Sequence, residues 1–423
     1  MQTTLAASIK DTPEGREADA ILRSCVHCGF CLATCPTYQL LGDELDSPRG
    51  RIYLMKQMLE GEPVTGDTQL HLDRCLTCRA CETTCPSGVR YGKLLDIGRS
   101  ITEQRVERRT VPALKRYVLR KVLPHRRRFA VAYAFARLMR GLLPREIRAK
   151  LPQREPEETK QEWPRVRHVR RVILLEGCVQ PTLTPGVNAA AARVLDRIGI
   201  SVIRVAAAGC CGAVAHHLSA PGDTHEQVKH NIEALWPQVE SGAEAIVMTA
   251  SACTAMLTDY GHVMREDTAY ATRAARVSTL VREMSEVVLA NAMALKEALR
   301  AAGGAEPGPK VAFQSPCTLQ HALKVRGAVE ALLREAGFTL THVPDSHLCC
   351  GSAGTYSILQ PELSARLLSD KVTALEHGGP AIIATANIGC QTHLRGGTSL
   401  PVRHWIELLD ARLARRPMEP GSR

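Results

Sequence analysis

Aromatic residues make up only 4% of this 423-residue chain, which leaves few stacking platforms for bases and counts against a single-strand nucleic-acid binder. No run of eighteen apolar residues occurs, so no bilayer-spanning helix is expected. An apolar signal segment is also missing, and so is a glycine-rich dinucleotide fingerprint at any strand-to-helix junction; a flavin held by this chain is therefore not expected. The length allows two to four domains, because single hydrophobic cores usually stop growing near ~250–300 residues.

What is abundant is cysteine, sixteen in all, in four groups of four. Cys25, Cys28, Cys31 and Cys35 precede Pro36, and Cys75, Cys78, Cys81 and Cys85 precede Pro86. Both runs read C-x2-C-x2-C-x3-C-P, a spacing in which three thiolates close on one 4Fe-4S cluster while the fourth crosses to a second. The expectation is Cys25, Cys28, Cys31 and Cys85 on one cluster and Cys75, Cys78, Cys81 and Cys35 on the other. A disulfide framework suits a small secreted chain, and zinc ribbons use two separated C-x2-C pairs, so neither fits as well. Reduced thiols in this number predict a cytoplasmic protein. Between the runs, Ser47 and Pro48 read as the N-cap and first residue of a helix reaching Gly61, which favours a helical two-cluster domain over a hairpin type. His27, inside the first run, is placed either to donate towards a cluster sulfur or to stand as a solvated neighbour.

Charge is uneven. The net charge is +11, yet residues 105–171 alone carry twenty-one Lys and Arg against six Glu. This connector includes Arg126, Arg127 and Arg128 and an amphipathic stretch from Phe129 to Leu143. Such a segment suits docking on an acidic partner subunit first, an anionic membrane surface second, and nucleic acid a distant third.

From Arg171 the composition alternates β-branched runs with Ala/Leu-rich helical stretches, and the segment is duplicated. Cys178 precedes Cys210 by 32 positions, as Cys317 precedes Cys349. The second cysteine is doubled and followed by glycine, in Cys210-Cys211-Gly212 and Cys349-Cys350-Gly351. A last cysteine closes each copy, Cys253 and Cys390. Each falls just past a predicted strand, where open α/β sheets gather their ligands, so Cys178, Cys210, Cys211 and Cys253 should converge on one site, and Cys317, Cys349, Cys350 and Cys390 on another. Gly212 and Gly351 supply the sharp turn that lets adjacent cysteines face one centre. The bland alternative is buried small hydrophobes.

These motifs, with Ser47-Pro48-Arg49-Gly50-Arg51 and Ala386-Asn387-Ile388-Gly389-Cys390-Gln391, resemble the family of glycolate oxidase iron-sulfur subunits. That family belongs to a wider group joining a two-cluster ferredoxin domain to paired cysteine-rich CCG domains, which includes subunits of anaerobic glycerol-3-phosphate dehydrogenase and of heterodisulfide reductase. The resemblance implies an α+β multidomain chain: a helical ferredoxin-like domain (residues 1–104), a basic helical connector (105–170), and two α/β CCG domains with parallel sheets (171–300 and 301–423). It implies two 4Fe-4S clusters, with room for further iron-sulfur or zinc in the CCG domains. It also implies an electron carrier, without catalytic residues of its own, inside a flavin-dependent glycolate dehydrogenase. Partner FAD subunits would oxidise glycolate to glyoxylate, and the acceptor would be a membrane quinone reached by peripheral contact. The sequence departs from the heterodisulfide reductase pattern at Ala250 and Asn387, where those relatives carry a fifth cysteine, which disfavours a five-thiolate centre. The alternatives are a thiol or disulfide reductase using Cys211 and Cys350, and CCG domains with structural zinc acting only as docking modules.

Overall fold

The computed structural model describes residues 1–142, 162–304 and 307–414. The N-terminal part is all helix: α1 (Pro13–Ser24), α2 (Pro36–Leu41), α3 (Pro48–Glu60), α4 (Gly66–Asp73), α5 (Ala80–Thr84) and α6 (Tyr91–Arg105). Local chemistry sets these bounds. The Ser47 hydroxyl accepts from the Gly50 amide at 2.9 Å, Pro48 takes the first helical position, and Gly61 ends α3 at φ 104°, as the capping rules require. A Cβ on Gly50 would lie 2.0 Å from the Glu44 carbonyl oxygen, so only glycine allows α3 to pack under that turn. The core here is Leu22, Met55, Met58, Leu94 and Leu95, all fully buried.

The connector continues as α7 (Thr110–Val122) and α8 (Arg126–Leu138), while residues 143–161 lie outside the described residues. Part of its positive charge is neutralised within the chain. Arg108 and Arg116 reach Asp73 at 2.5 and 2.7 Å, Arg120 and Lys121 reach Asp223 at 3.2 Å each, and Arg126 donates to the Gly177 carbonyl at 2.8 Å. In the fold these side chains fasten the connector to its own neighbours.

The second half holds two four-stranded parallel sheets. The first contains β1 (Arg170–Leu174), β2 (Ile200–Arg204), β3 (Ala245–Met248) and β4 (Val281–Glu283) in the order β2-β1-β3-β4. The second contains β5 (Lys310–Gln314), β6 (Thr339–Leu340), β7 (Ile382–Thr385) and β8 (Val402–His404) in the order β6-β5-β7-β8. The helical first part and the duplicated parallel sheets bear out the expected fold class. Neither β4 nor β8 was anticipated, because three residues are too few to show a period of two. In the second repeat the helix Ala328–Glu335 is preceded by a π-helical turn over Thr318–Ala322.

Alternation along the strands divides the core. Val172, Leu174 and Val247 of the first sheet and Val311, Phe313 and Ala384 of the second belong to one shared core, built around the helices Pro185–Arg197 and Trp405–Leu413. Arg193 and Asp410 join those helices at 2.6 Å, and Trp405, which opens the second, is fully buried in this core. Removing that indole would cost about 3–5 kcal/mol. The opposite faces, Ile173 and Ile246 in one sheet and Ala312 and Ile383 in the other, pack with the cysteines. No described helix is long and apolar enough to cross a membrane.

Candidate metal centres

The two Pro-terminated runs fold alike. In the first, His27 and Gly29 take positive φ (55° and 83°); in the second, Thr77 and Arg79 do so at the matching positions (55° and 59°). A left-handed conformation at a non-glycine residue costs roughly 1–2 kcal/mol, and its recurrence at matched positions marks a backbone held for function. Residue type gave no warning of it, since Thr77 and Arg79 are poor left-handed formers.

This winding collects the cysteines into two cavities. One is lined by Cys25, Cys28, Cys31 and Cys85, the other by Cys35, Cys75 and Cys78, and Cys81 borders both. Charge proximity agrees with that grouping: Cys25 feels Cys85, and Cys81 feels Cys78, Cys75 and Cys35. Burial raises the Cys25 thiol, pushes Cys31 up to about 11 and holds Cys78 and Cys81 far higher than a free cysteine. Thiols so placed favour protons or a metal over free thiolate. The donor sets fit a pair of 4Fe-4S clusters. So does His27, whose Nε2 is buried without a partner on the first cavity's lining.

Residues unnoticed in the sequence surround the second cavity. Arg51 is 1% exposed and meets the fully buried Asp46 at 3.1 Å, with Arg74 on the other carboxylate oxygen at 2.8 Å. Burial opposes the Arg51 charge, but Cys75, Tyr91, Cys35 and Asp46 together hold its pKa above the ordinary value. A guanidinium beside Cys75 and Cys35 would raise the potential of a centre bound there. Tyr91 points its hydroxyl at Cys75 Sγ (3.6 Å), and Arg99 donates to the Cys75 carbonyl at 2.7 Å. The only available signal for Arg51 was its place in the Ser-Pro-Arg-Gly-Arg segment.

The repeat cysteines also converge. Cys178 touches Cys210, Cys210 touches Cys211, and Cys211 touches Cys253; in the other copy Cys317 touches Cys349, Cys349 touches Cys350, and Cys350 touches Cys390. Gly212 (φ 94°) and Gly351 (φ 86°) make the turn expected of them. In the first quartet Cys210 is the shared acceptor, held low by thiol donors on both sides; in the second it is Cys350. Four converging sulfurs in each copy fit a four-thiolate centre.

The sequence offered no hint of how the quartets stand to one another. A cavity of about 150 Å³ is lined by Cys75 and Cys78 of the helical domain and by Cys317, Cys349, Cys350 and Cys390 of the second repeat. Beside it, Thr83 bonds His321 Nδ1 at 2.9 Å, and His321 Nε2 donates to the His347 carbonyl at 3.0 Å. Burial lowers the His321 pKa, so the ring is neutral and can play both parts. It clamps the turn after Cys317 and the segment before Cys349 to the helix carrying Cys81. Of the other histidines near the doubled and closing cysteines, His216 pairs with Asp96 at 3.1 Å and His393 meets Ser364 at 3.2 Å.

Fold and donor sets together define an iron-sulfur protein: a helical dicluster domain followed by paired cysteine-rich domains. Residues 21–89 match the family described as a 4Fe-4S dicluster domain, and residues 172–258 and 311–395 each match the cysteine-rich domain family. The glycolate oxidase iron-sulfur subunit of Escherichia coli (strain K12) is 54% identical over 98% of this chain and 99% of its own length. The probable glycolate oxidase iron-sulfur subunit of Bacillus subtilis (strain 168) is 31% identical over 89% of each. Lactate utilization protein A of Bacillus subtilis (strain 168) is 25% identical over 57% of this chain and all of its own. The chain belongs to the glycolate oxidase iron-sulfur subunit family, as its motifs implied.

Proposed function

We propose that this chain is the electron-carrying subunit of a flavin-dependent glycolate-oxidising complex. It receives electrons from a partner FAD subunit that converts glycolate to glyoxylate, and it delivers them towards a quinone-type acceptor at the membrane. The observation that carries the reading is the grouping of the two runs' cysteines into adjoining cavities that share Cys81; the names of the full-length relatives supply the substrate. Cys25, Cys28, Cys31 and Cys85 hold one 4Fe-4S cluster, and Cys75, Cys78, Cys81 and Cys35 the other. Each CCG quartet offers four thiols to one further centre, iron-sulfur or zinc. Bound clusters supply one-electron carriers, tunable over about −700 to +450 mV, that can divide a flavin's electron pair.

The protein's own residues give this carrier its two ends. Around the first cavity Cys28, Val26, Phe30 and Tyr53 are exposed, an apolar collar suited to the flavin subunit. At the connector, Val131, Phe135 and Leu138 form an exposed stripe at 71%, 63% and 81%. They lie at i, i+4 and i+7 of α8 among arginines, the pattern of a helix resting on an anionic membrane surface.

Cys81→Ser tests the reading in the reconstituted complex. Glycolate should still bleach the partner's flavin while reduction of a soluble quinone analogue stops, with iron and sulfide falling below two clusters per chain. Loss of flavin bleaching would move substrate oxidation onto this chain, and unimpaired quinone reduction would remove it from the electron path.

A further inference from the structure

Away from the cysteines, a second donor set spans the seam between the helical domain and the first repeat. Asp96 lies on α6, and His216 and His217 end the short helix Ala213–His217 that follows Cys210-Cys211-Gly212. One carboxylate oxygen and two imidazole nitrogens stand within 4.8 Å of one another. We infer that Asp96, His216 and His217 bind one divalent ion of the zinc class, which ties α6 to the segment carrying Cys210 and Cys211. This goes beyond the electron-carrier reading and does not depend on it.

Three observations carry the inference. The first is the donor chemistry: two imidazoles and one carboxylate suit zinc and its first-row neighbours, whereas calcium and magnesium seek mostly oxygen. The second is the disposition of nearby cations, which would otherwise repel an ion. Lys93 and Arg79 are turned onto Asp259 at 3.1 and 3.3 Å. Arg99 is committed to the Leu72 and Cys75 carbonyls at 2.8 and 2.7 Å. Asp96 is thereby left to the imidazoles, with His216 Nε2 3.1 Å from its Oδ2. The third is access: Asp96 and His216 line an open cavity of about 160 Å³, whose wall also carries Glu14 and Glu17, and His217 lines the cavity of about 150 Å³ on the other side. A hydrated cation can reach the donors from there.

The fit needs little movement. Ligands at about 2.0–2.2 Å from a tetrahedral zinc lie roughly 3.3 Å apart; Asp96 and His216 already stand at 3.1 Å, and His217 is within 4.8 Å of both. His217 is exposed, so rotation of its ring can close the gap without shifting the backbone. Three protein ligands leave one coordination position for water.

Zinc itself is the probe, added at one equivalent to the anaerobically purified, iron-loaded chain. Because thiolates also bind zinc, the decisive reading is the zinc K-edge spectrum, which separates a nitrogen and oxygen shell from a sulfur shell. The expected result is one zinc per chain with nitrogen and oxygen neighbours, and iron and sulfide unchanged. His217→Ala and Asp96→Asn should each weaken that binding at least tenfold at unchanged iron content. His217 lies on a cavity wall outside the packed core, and an unchanged thermal unfolding midpoint for His217→Ala separates loss of ligation from loss of folding. Zinc found only in a sulfur shell, no zinc uptake, or nitrogen-bound zinc retained by both variants would overturn the assignment.

Discussion

The two cysteine-rich repeats share strand order, the 32-residue interval from first to doubled cysteine and a left-handed glycine after it. They differ in what surrounds these features. The cavity that meets Cys75 and Cys78 takes all four of its repeat cysteines from the second copy; the first copy contributes residues such as Ala213, His217 and Ala252. Where the first copy has Ala250 before its last cysteine, the second has Asn387, which caps the following helix and brings its Nδ2 to 3.8 Å from Cys390 Sγ. The last strands also end differently. Glu283 caps the next helix in the first copy, and His404 does so in the second while donating to the Thr249 carbonyl of the first. The two copies keep one scaffold, and position against the helical domain gives them different surroundings.

The sharpest way to break this contrast is to remove one thiol from each copy. In the reconstituted complex, Cys350→Ser should lower quinone-analogue reduction by on the order of tenfold or more while flavin bleaching persists, and Cys210→Ser should leave it near wild type. Equal losses would make the two copies equivalent stations.

A backbone test comes next. A Cβ on Gly351 would lie 2.7 Å from the Ser364 carbonyl oxygen, whereas the nearest atom to one on Gly212 is Met256 Cε at 3.6 Å. Gly351→Ala should therefore add overpacking of about 1–3 kcal/mol to the left-handed strain of roughly 1–2 kcal/mol that Gly212→Ala also meets. Thermal unfolding of the iron-loaded proteins should rank Gly351→Ala well below Gly212→Ala, and a reversed order would contradict the packing difference.

The smallest effects concern pH, and their signs are opposite. Burial pushes His404 down to about 4, so its contribution is present above its unfolded value near 6.5 and is lost as pH falls towards 4, about 2 kcal/mol at pH 5. Burial pushes Glu283 up to about 7, so its contribution is present below about 4.5 and is lost as pH rises through 7. In unfolding measurements across this range, His404→Gln should flatten the acid limb, and Glu283→Gln should stabilise the protein at pH 8 relative to wild type. Unaltered pH profiles would show that neither group titrates as its burial requires.

A large part of this organisation was readable beforehand because it is local. Pro36 and Pro86 punctuate thiol runs whose spacing is that of an iron-sulfur site, and Ser47, Pro48 and Gly61 bound α3 through contacts a few residues apart. The 32-residue interval from the first to the doubled cysteine exposed the duplication because both copies keep it. Harder to read were β4 and β8, short strands formed mainly by pairing with β3 and β7. Arg51 was harder still: its buried charge is tolerable only because Asp46 folds back onto it. The same holds for the connector: nothing along the chain showed that Asp73, Asp223 and the Gly177 carbonyl would take Arg108, Arg120 and Arg126.

By itself, then, the order of residues determined the thiol quartets, the repeat, the caps and the parallel-sheet class, all of which depend on spacing along the chain. Only the tertiary structure decided which copy faces Cys78, that His321 joins Thr83 to the His347 carbonyl, and that Asp96 meets His216 across a seam. Those contacts join residues 120 to 238 positions apart in two cases, and separations of that size leave no periodic trace in the sequence, because they are chosen by how whole surfaces pack.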